Sequence, residues 1–153
     1  MTLQFESVLT APRERIWGWI TSVDGISAEL WPLLRMTVPK GIRSLTDVEV
    51  RSGERLFRSY ILLFGLIPID YSDLTLLHLE PLRGFVEQSP MGLMTLWRHE
   101  RSIREQLSEN DGTVVIVDRL AFSSRGAGTL VRWFLRKLFQ HRHAVLRARF
   151  GHR

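Results

Sequence analysis

Gly126-Ala-Gly-Thr-Leu-Val-Arg-Trp-Phe-Leu-Arg-Lys-Leu-Phe-Gln-His-Arg-His-Ala-Val-Leu-Arg-Ala-Arg-Phe150 is the stretch around which the chain is organised. At about 100° per residue, Ala127, Val131, Phe134, Leu138, His141 and Val145 fall on one stripe, with Leu130 and Leu135 on its shoulders. Arg132, Arg136, Gln140, His143 and Arg147 fall opposite. Ser123 and Ser124 offer capping hydroxyls, and Gly151 follows the last apolar residue. These features predict one amphipathic helix of about 24 residues, about 36 Å long. Such a stripe needs a broad apolar surface to lie on.

The upstream chain supplies it as strands. Residues 3–10 alternate and read as a first strand. Pro12 marks a helix start, with Ile16, Ile20 and Val23 on its apolar side beside Trp17, and Asp24-Gly25 as its break. A second short helix is expected around Ser27–Leu34, stopped near Pro32. Residues 36–53 are punctuated by Pro39, Gly41 and Gly53, and Val48–Val50 read as a short strand. Strands are then expected over Leu56–Leu66, Ile69–Leu79, Phe85–Ser89, Met94–Leu107 and Thr113–Phe122. Glu109-Asn-Asp-Gly112 is a hairpin turn signal between the last two. The order is that of an α+β protein in which a curved antiparallel sheet wraps a long C-terminal helix, with two short helices after the first strand. No repeat or linker interrupts it, so residues 1–153 are expected to form a single domain.

Composition narrows the function classes. Hydrophobic residues make up 44% and charged residues 24%, which excludes a disordered chain. The absence of cysteine removes disulfides and thiolate chemistry and suits a cytoplasmic setting. The N-terminus lacks the pattern of a signal peptide. The net charge of +5 is unevenly spread: residues 119–153 carry nine Lys or Arg and no Asp or Glu. That segment is either the solvated back of a helix against an acidic body or a face for an anionic surface.

Three stretches, Ala11-Pro-Arg-Glu-Arg-Ile-Trp17, Trp97-Arg-His-Glu-Arg101 with Asp118-Arg119, and Phe139-Gln-His-Arg-His143, carry a resemblance to the START-like helix-grip superfamily, also called SRPBCC. It includes polyketide cyclases and dehydrases, lipid-transfer domains and coenzyme-Q-binding proteins. The resemblance covers nearly the whole chain and looks like an uncharacterised bacterial branch. It implies a cavity between sheet and last helix for an apolar ligand. Binding proteins and enzymes share that frame, so it does not choose between them.

On the Met94–Leu107 strand, Trp97, His99, Arg101 and Ile103 share one face, and the uniformly polar Arg98, Glu100, Ser102 and Arg104 share the other. The first face therefore points to the cavity. His99 and Arg101 then need partners, because an unpaired buried polar group costs about 1–3 kcal/mol. Glu87 and Asp118 are the candidate counter-ions. Trp97, His99, Arg101, Glu87, Asp118, Phe134, Leu138 and His141 form the candidate ligand-binding set. Two readings of its polar members stand: contact with a ligand carbonyl or carboxylate, or a structural ion-pair network. His141 and His143 lie about 200° apart on the helix and cannot share a metal. No phosphate loop, dinucleotide fingerprint or nucleophile elbow is present, and no cofactor or metal is expected.

The function expected is binding of a small hydrophobic molecule: a lipid, isoprenoid or polyketide-like ring system. One alternative is a cyclase- or dehydratase-type enzyme with His99 as acid/base and Arg101 stabilising an enolate. Another is a module that binds anionic surfaces through residues 119–153, without specific nucleic-acid recognition.

Overall fold

Alternation along the strands and the stripe of the final helix put the apolar faces of both on one interior. The computed structural model describes residues 1–105 and 113–151. In chain order the elements are β1 (Thr2–Leu9), α1 (Arg13–Thr21), α2 (Val23–Leu30), β2 (Leu34–Met36), a short 3-10 turn (Leu45–Asp47), β3 (Arg55–Leu63), β4 (Ile67–Glu80), β5 (Gly84–Gln88), β6 (Met94–Glu105), β7 (Val114–Ser124) and α3 (Gly128–Phe150). Seven antiparallel strands in the order β1-β7-β6-β5-β4-β3-β2 curl into a half-barrel around α3. The architecture is the α+β helix-grip arrangement. The hairpin signal at Glu109–Gly112 lies outside the described residues. Among the described residues, no helix is long and apolar enough to cross a membrane.

Two apolar clusters fill the interior. One joins Leu9, Ile16, Ile20, Leu76, Ile103, Ile116, Leu146 and Phe150 under α1. The other joins Leu30, Leu34, Ile61, Leu120, Phe122, Leu135, Leu138 and Phe139 under α2 and the middle of α3. Phe5 of β1 stacks on Phe139, with ring centroids 5.6 Å apart. Thr10 closes the far end, its backbone N–H and hydroxyl both donating to the carbonyl of Phe150.

Several local expectations are corrected. The first helix breaks at Ser22, before Asp24-Gly25, because the Ser22 hydroxyl accepts from the backbone N–H of Gly25 and caps α2. Gly25 lies inside α2 because a Cβ there would sit 2.1 Å from the carbonyl oxygen of Trp19. α2 ends at Leu30, and Leu34–Met36 pair with β3 as an edge strand instead of extending the helix. Val48–Val50 form no strand; the regular element nearby is the 3-10 turn, closed by a capping box between Ser44 and Asp47. Ser123 and Ser124 end β7, and α3 begins only after Ala127, which has φ 52° and makes no side-chain cap.

The largest correction concerns the face of α3. Its buried residues are Leu135, Leu138, Phe139, Arg142, His143, Leu146 and Phe150. This stripe is turned by about a quarter turn from the expected one. The cause is chemical: Arg142 and His143 are drawn inside by buried carboxylates, so two residues that count as polar belong to the inner face. His143, expected on the outer face, is 2% exposed. Val131 and Phe134 are only half-buried, because they border open space between helix and sheet.

Leu138→Ala is therefore expected to lower stability by about 2–5 kcal/mol, the range for large core truncations. Phe134→Ala should cost less, because its ring already borders a cavity. Urea denaturation of both variants checks this; equal losses would contradict the rotated stripe.

Candidate functional site

A cavity of about 480 Å³ lies between the concave sheet and α3. Its walls are mostly apolar: Phe57 and Ile61 from β3, Leu74 and Leu76 from β4, Trp97 from β6 and Leu138 from α3. Trp97, His99, Glu87, Phe134 and Leu138 of the expected site residues line it. Arg101 and Asp118 do not; both are 0% exposed and lie behind His99. His141 is also absent from the lining and bonds the carbonyl oxygen of Trp31 through Nε2 at 2.7 Å. A larger, more open hollow of about 760 Å³ lies at the β4–β5 turn between Arg13, Glu80, Arg83 and Arg104, and neither His99 nor Glu87 reaches it.

The polar side of the cavity is one connected charge cluster. Arg101 on β6 and Asp118 on β7 are direct cross-strand partners, so register alone sets them side by side. Arg101 grips Asp118 through Nε and Nη2 at 2.8 and 2.9 Å, and grips Glu29 of α2 through Nη1 and Nη2 at 3.0 and 2.7 Å. Four of its five N–H groups are thus used on two carboxylates. Arg142 of α3 donates from Nε to Glu29 at 3.0 Å, and the Trp19 indole N–H donates to Glu29 at 2.9 Å. Gly84 lets β5 approach here: at φ 148° it lies so close to β6 that a Cβ would meet the carbonyl oxygen of Arg101 at 2.2 Å.

Asp118 also receives two imidazoles. His99 Nε2 and His143 Nε2 each lie 2.7 Å from one of its oxygens. An ionised carboxylate only accepts, so both rings carry hydrogen on Nε2. Arg147 donates to the Ser7 hydroxyl at 2.9 Å, which leaves the Ser7 hydrogen for Nδ1 of His143 at 2.7 Å. His99 is held between the ring edges of Phe85 and Phe139 and turns Nδ1 toward Glu87 Oε1, 3.9 Å away. That gap exceeds a hydrogen bond. Glu87 takes its direct bond from the Ser89 hydroxyl at 2.7 Å, so it pairs with Ser89 and faces His99, while Asp118 is the counter-ion of Arg101.

Burial works against every charge in the cluster, and pairing decides the outcome. Burial pushes the Asp118 carboxyl up, but Arg101 and the two imidazole N–H groups hold it well below the usual carboxylate range. Burial likewise opposes ionised Glu29, and Arg101 and Arg142 outweigh it, so its pKa is lowered. Arg101 is raised, because its two carboxylates overcome burial. Arg142 is lowered, because burial and the charge of Arg101 outweigh its bond to Glu29.

Three observations bear on chemistry. Arg101 has no surface with which to meet an enolate. His99 presents only Nδ1 to the cavity. Ser59 and Ser72, a cross-strand pair on β3 and β4, line the cavity with buried hydroxyls that have no hydrogen-bond partner among the described residues. Sequence reasoning missed Glu29, Arg142, His143 and Ser7. For Arg142 a signal existed: it follows Leu138 by four positions and precedes Leu146 by four, within an apolar row. Glu29 is 72 positions from Arg101, and no local pattern connects them.

The pH dependence has a definite sign. Carboxylates with lowered folded-state pKa contribute stability that is complete above their ordinary values near 4 and is lost as pH falls below them. Urea midpoints should therefore fall steeply below about pH 4. Asp118→Asn should cost about 3–5 kcal/mol at neutral pH, because it leaves Arg101 and two imidazoles short of a buried partner, and should flatten the acid limb. A midpoint that rises on acidification would refute this account.

The fold has counterparts among solved structures. A START superfamily protein from Mycobacterium smegmatis superposes with a TM-score of 0.66 at 9% identity, covering 97% of this chain and 96% of that one. Ara h 8.0201 does so with 0.57 at 12%, covering 97% and 98%. DynU16, from the dynemicin biosynthetic locus, gives 0.58 at 10%, covering 98% of this chain but 48% of its own. At these identities the likeness is one of fold, and that fold is START-like. No curated protein matches the sequence. A family model does match, over residues 7–150, and the chain therefore belongs to the family described as a Domain of unknown function (DUF8410), built on a START-like frame.

Proposed function

We propose that the protein binds a small hydrophobic molecule, of lipid, isoprenoid or polyketide-like character, in the cavity between sheet and α3. The cavity itself carries this reading. At about 480 Å³ it falls within the usual range for small-molecule sites, and its walls are mostly large apolar side chains. A void of this size forfeits packing contacts that a filled core would have, so an occupant that fills it adds stability. Neutral phenylnaphthylamine should bind with a rise in fluorescence. Leu74→Trp, which narrows the cavity from β4, should weaken that binding several-fold while leaving the melting temperature within a few degrees. An unchanged probe spectrum with the native protein would refute the reading, and a native mass spectrum of gently purified protein should show a co-purified apolar adduct.

A second reading concerns the mouth of the cavity. Phe64, Leu130 and Trp133 line it yet are 54%, 64% and 57% exposed, and Leu66 at the β3–β4 turn is 82% exposed. Exposed large apolar groups at one opening mark an interaction site. Basic residues stand beside them on α3, including exposed Arg136 and Lys137. This combination supports weak contact with an anionic membrane surface, from which an apolar ligand would enter. Vesicles of phosphatidylcholine with phosphatidylglycerol should co-sediment with the protein at low salt, and less so past about 0.15 M, where charges are screened within about 8 Å. Trp133→Ser should weaken the association. No co-sedimentation at low salt would refute the contact.

A further inference from the structure

Arg142 has a role that its ion pair does not account for. Its residue is 7% exposed and lines the cavity. Its guanidinium lies 4.9 Å from the ring centroid of Phe139. Among the described residues its hydrogen bond runs from Nε to Glu29, and Nη1 and Nη2, with four N–H groups, have no partner. Neither nitrogen is among the fully buried polar atoms that lack a partner, so both reach open space instead of being sealed in the core. Arg101, one layer deeper, is the contrast: four of its five N–H groups bind Asp118 and Glu29, and its side chain is 0% exposed. The cluster therefore has one arginine that is a structural tie and one whose fork faces the cavity.

From this geometry we infer that Arg142 anchors the acid group of an amphipathic ligand, a carboxylate carried on an apolar body. The inference rests on the cavity-binding reading above and adds the ligand's chemical class and orientation. Two terminal guanidinium nitrogens match two carboxylate oxygens side by side. The acidic residues lining the cavity forbid the reverse placement. Glu87 lies beside His99, and Asp70 lies at the other side with its carboxylate accepting the backbone N–H groups of Gly92 and Leu93. Among the described residues that line the cavity, Arg142 is the one arginine or lysine, so a ligand carboxylate is repelled from both acids and drawn toward it. Its apolar body then runs along Phe134 and Trp97 toward the mouth.

The test compares dodecanoate with dodecanol, which share a chain and differ in the head group, by displacement of phenylnaphthylamine at pH 8. The native protein should bind dodecanoate about tenfold or more tightly than dodecanol, the scale of one charge-assisted pair. Arg142→Gln should abolish that preference while retaining dodecanol binding, and Arg98→Gln, on the exposed outer face of β6, should leave it intact. Equal affinity of the native protein for both compounds would overturn the role of Arg142 and leave apolar binding standing. Displacement by neither would overturn both. The native preference needs no variant, so a misfolded Arg142→Gln protein does not blunt the test.

Discussion

A guanidinium with no access to water, held in two forks by Asp118 and Glu29, is the constraint on which the rest of this structure depends. An arginine cannot lose its proton, so its burial obliges the chain to deliver carboxylates to one point. Asp118 arrives by strand register and Glu29 by the placement of α2. Each carboxylate then has acceptor capacity left, and His99, His143, Arg142 and Trp19 take it up. In this way a single buried charge ties β6, β7, α2, α1 and α3 together. A buried ion pair is not by itself strong evidence of stability, since apolar replacements of the same shape can do as well. Its effect here is positional: it sets which face of α3 points inward.

The same cluster fixes the chemistry that the cavity offers. Because Asp118 can only accept, both imidazoles are locked with hydrogen on Nε2, and His99 turns one defined nitrogen to the interior. Arg101 is shielded and Arg142 is not. The cavity therefore combines apolar walls with a few oriented polar groups, the composition common to small-molecule sites.

Much of the fold was legible because strand periodicity is strict. Trp97, His99, Arg101 and Ile103 had to share a face, and the uniformly polar alternate set pointed that face inward. Six of the seven strands and a long last helix follow from alternation, turn residues and one extended apolar stripe; the short edge strand β2 carries no such signal. The rotation of α3 was not legible. Periodicity places His143 on the outer face, and only Asp118, distant in sequence, reverses that; Arg142 stands in the Leu138–Leu146 row, but nothing local names its partner Glu29. The α1–α2 break was misplaced for a similar reason: the capping hydroxyl of Ser22 decides it, while Gly25 is there for close packing against Trp19. For Glu87 the sequence named a carboxylate near His99 and Arg101 but could not say which it would face, since a shift of one residue in register changes every neighbour.

The two walls of the cavity differ in what holds them. The β6, β7 and α3 side is fastened by ion pairs in which each change orphans a charge. The β3 and β4 side contributes Phe57, Ile61 and Leu74, whose side chains hold no charged partner and whose strands are secured by backbone ladders. Mutational tolerance is therefore divided across the cavity. Substitutions on the β3–β4 wall can reshape the space for a different molecule while the opposite wall keeps its geometry. A lineage of such proteins can thus diverge in what it accommodates without dismantling the frame, and directed variation of specificity has a defined half of the cavity in which to work.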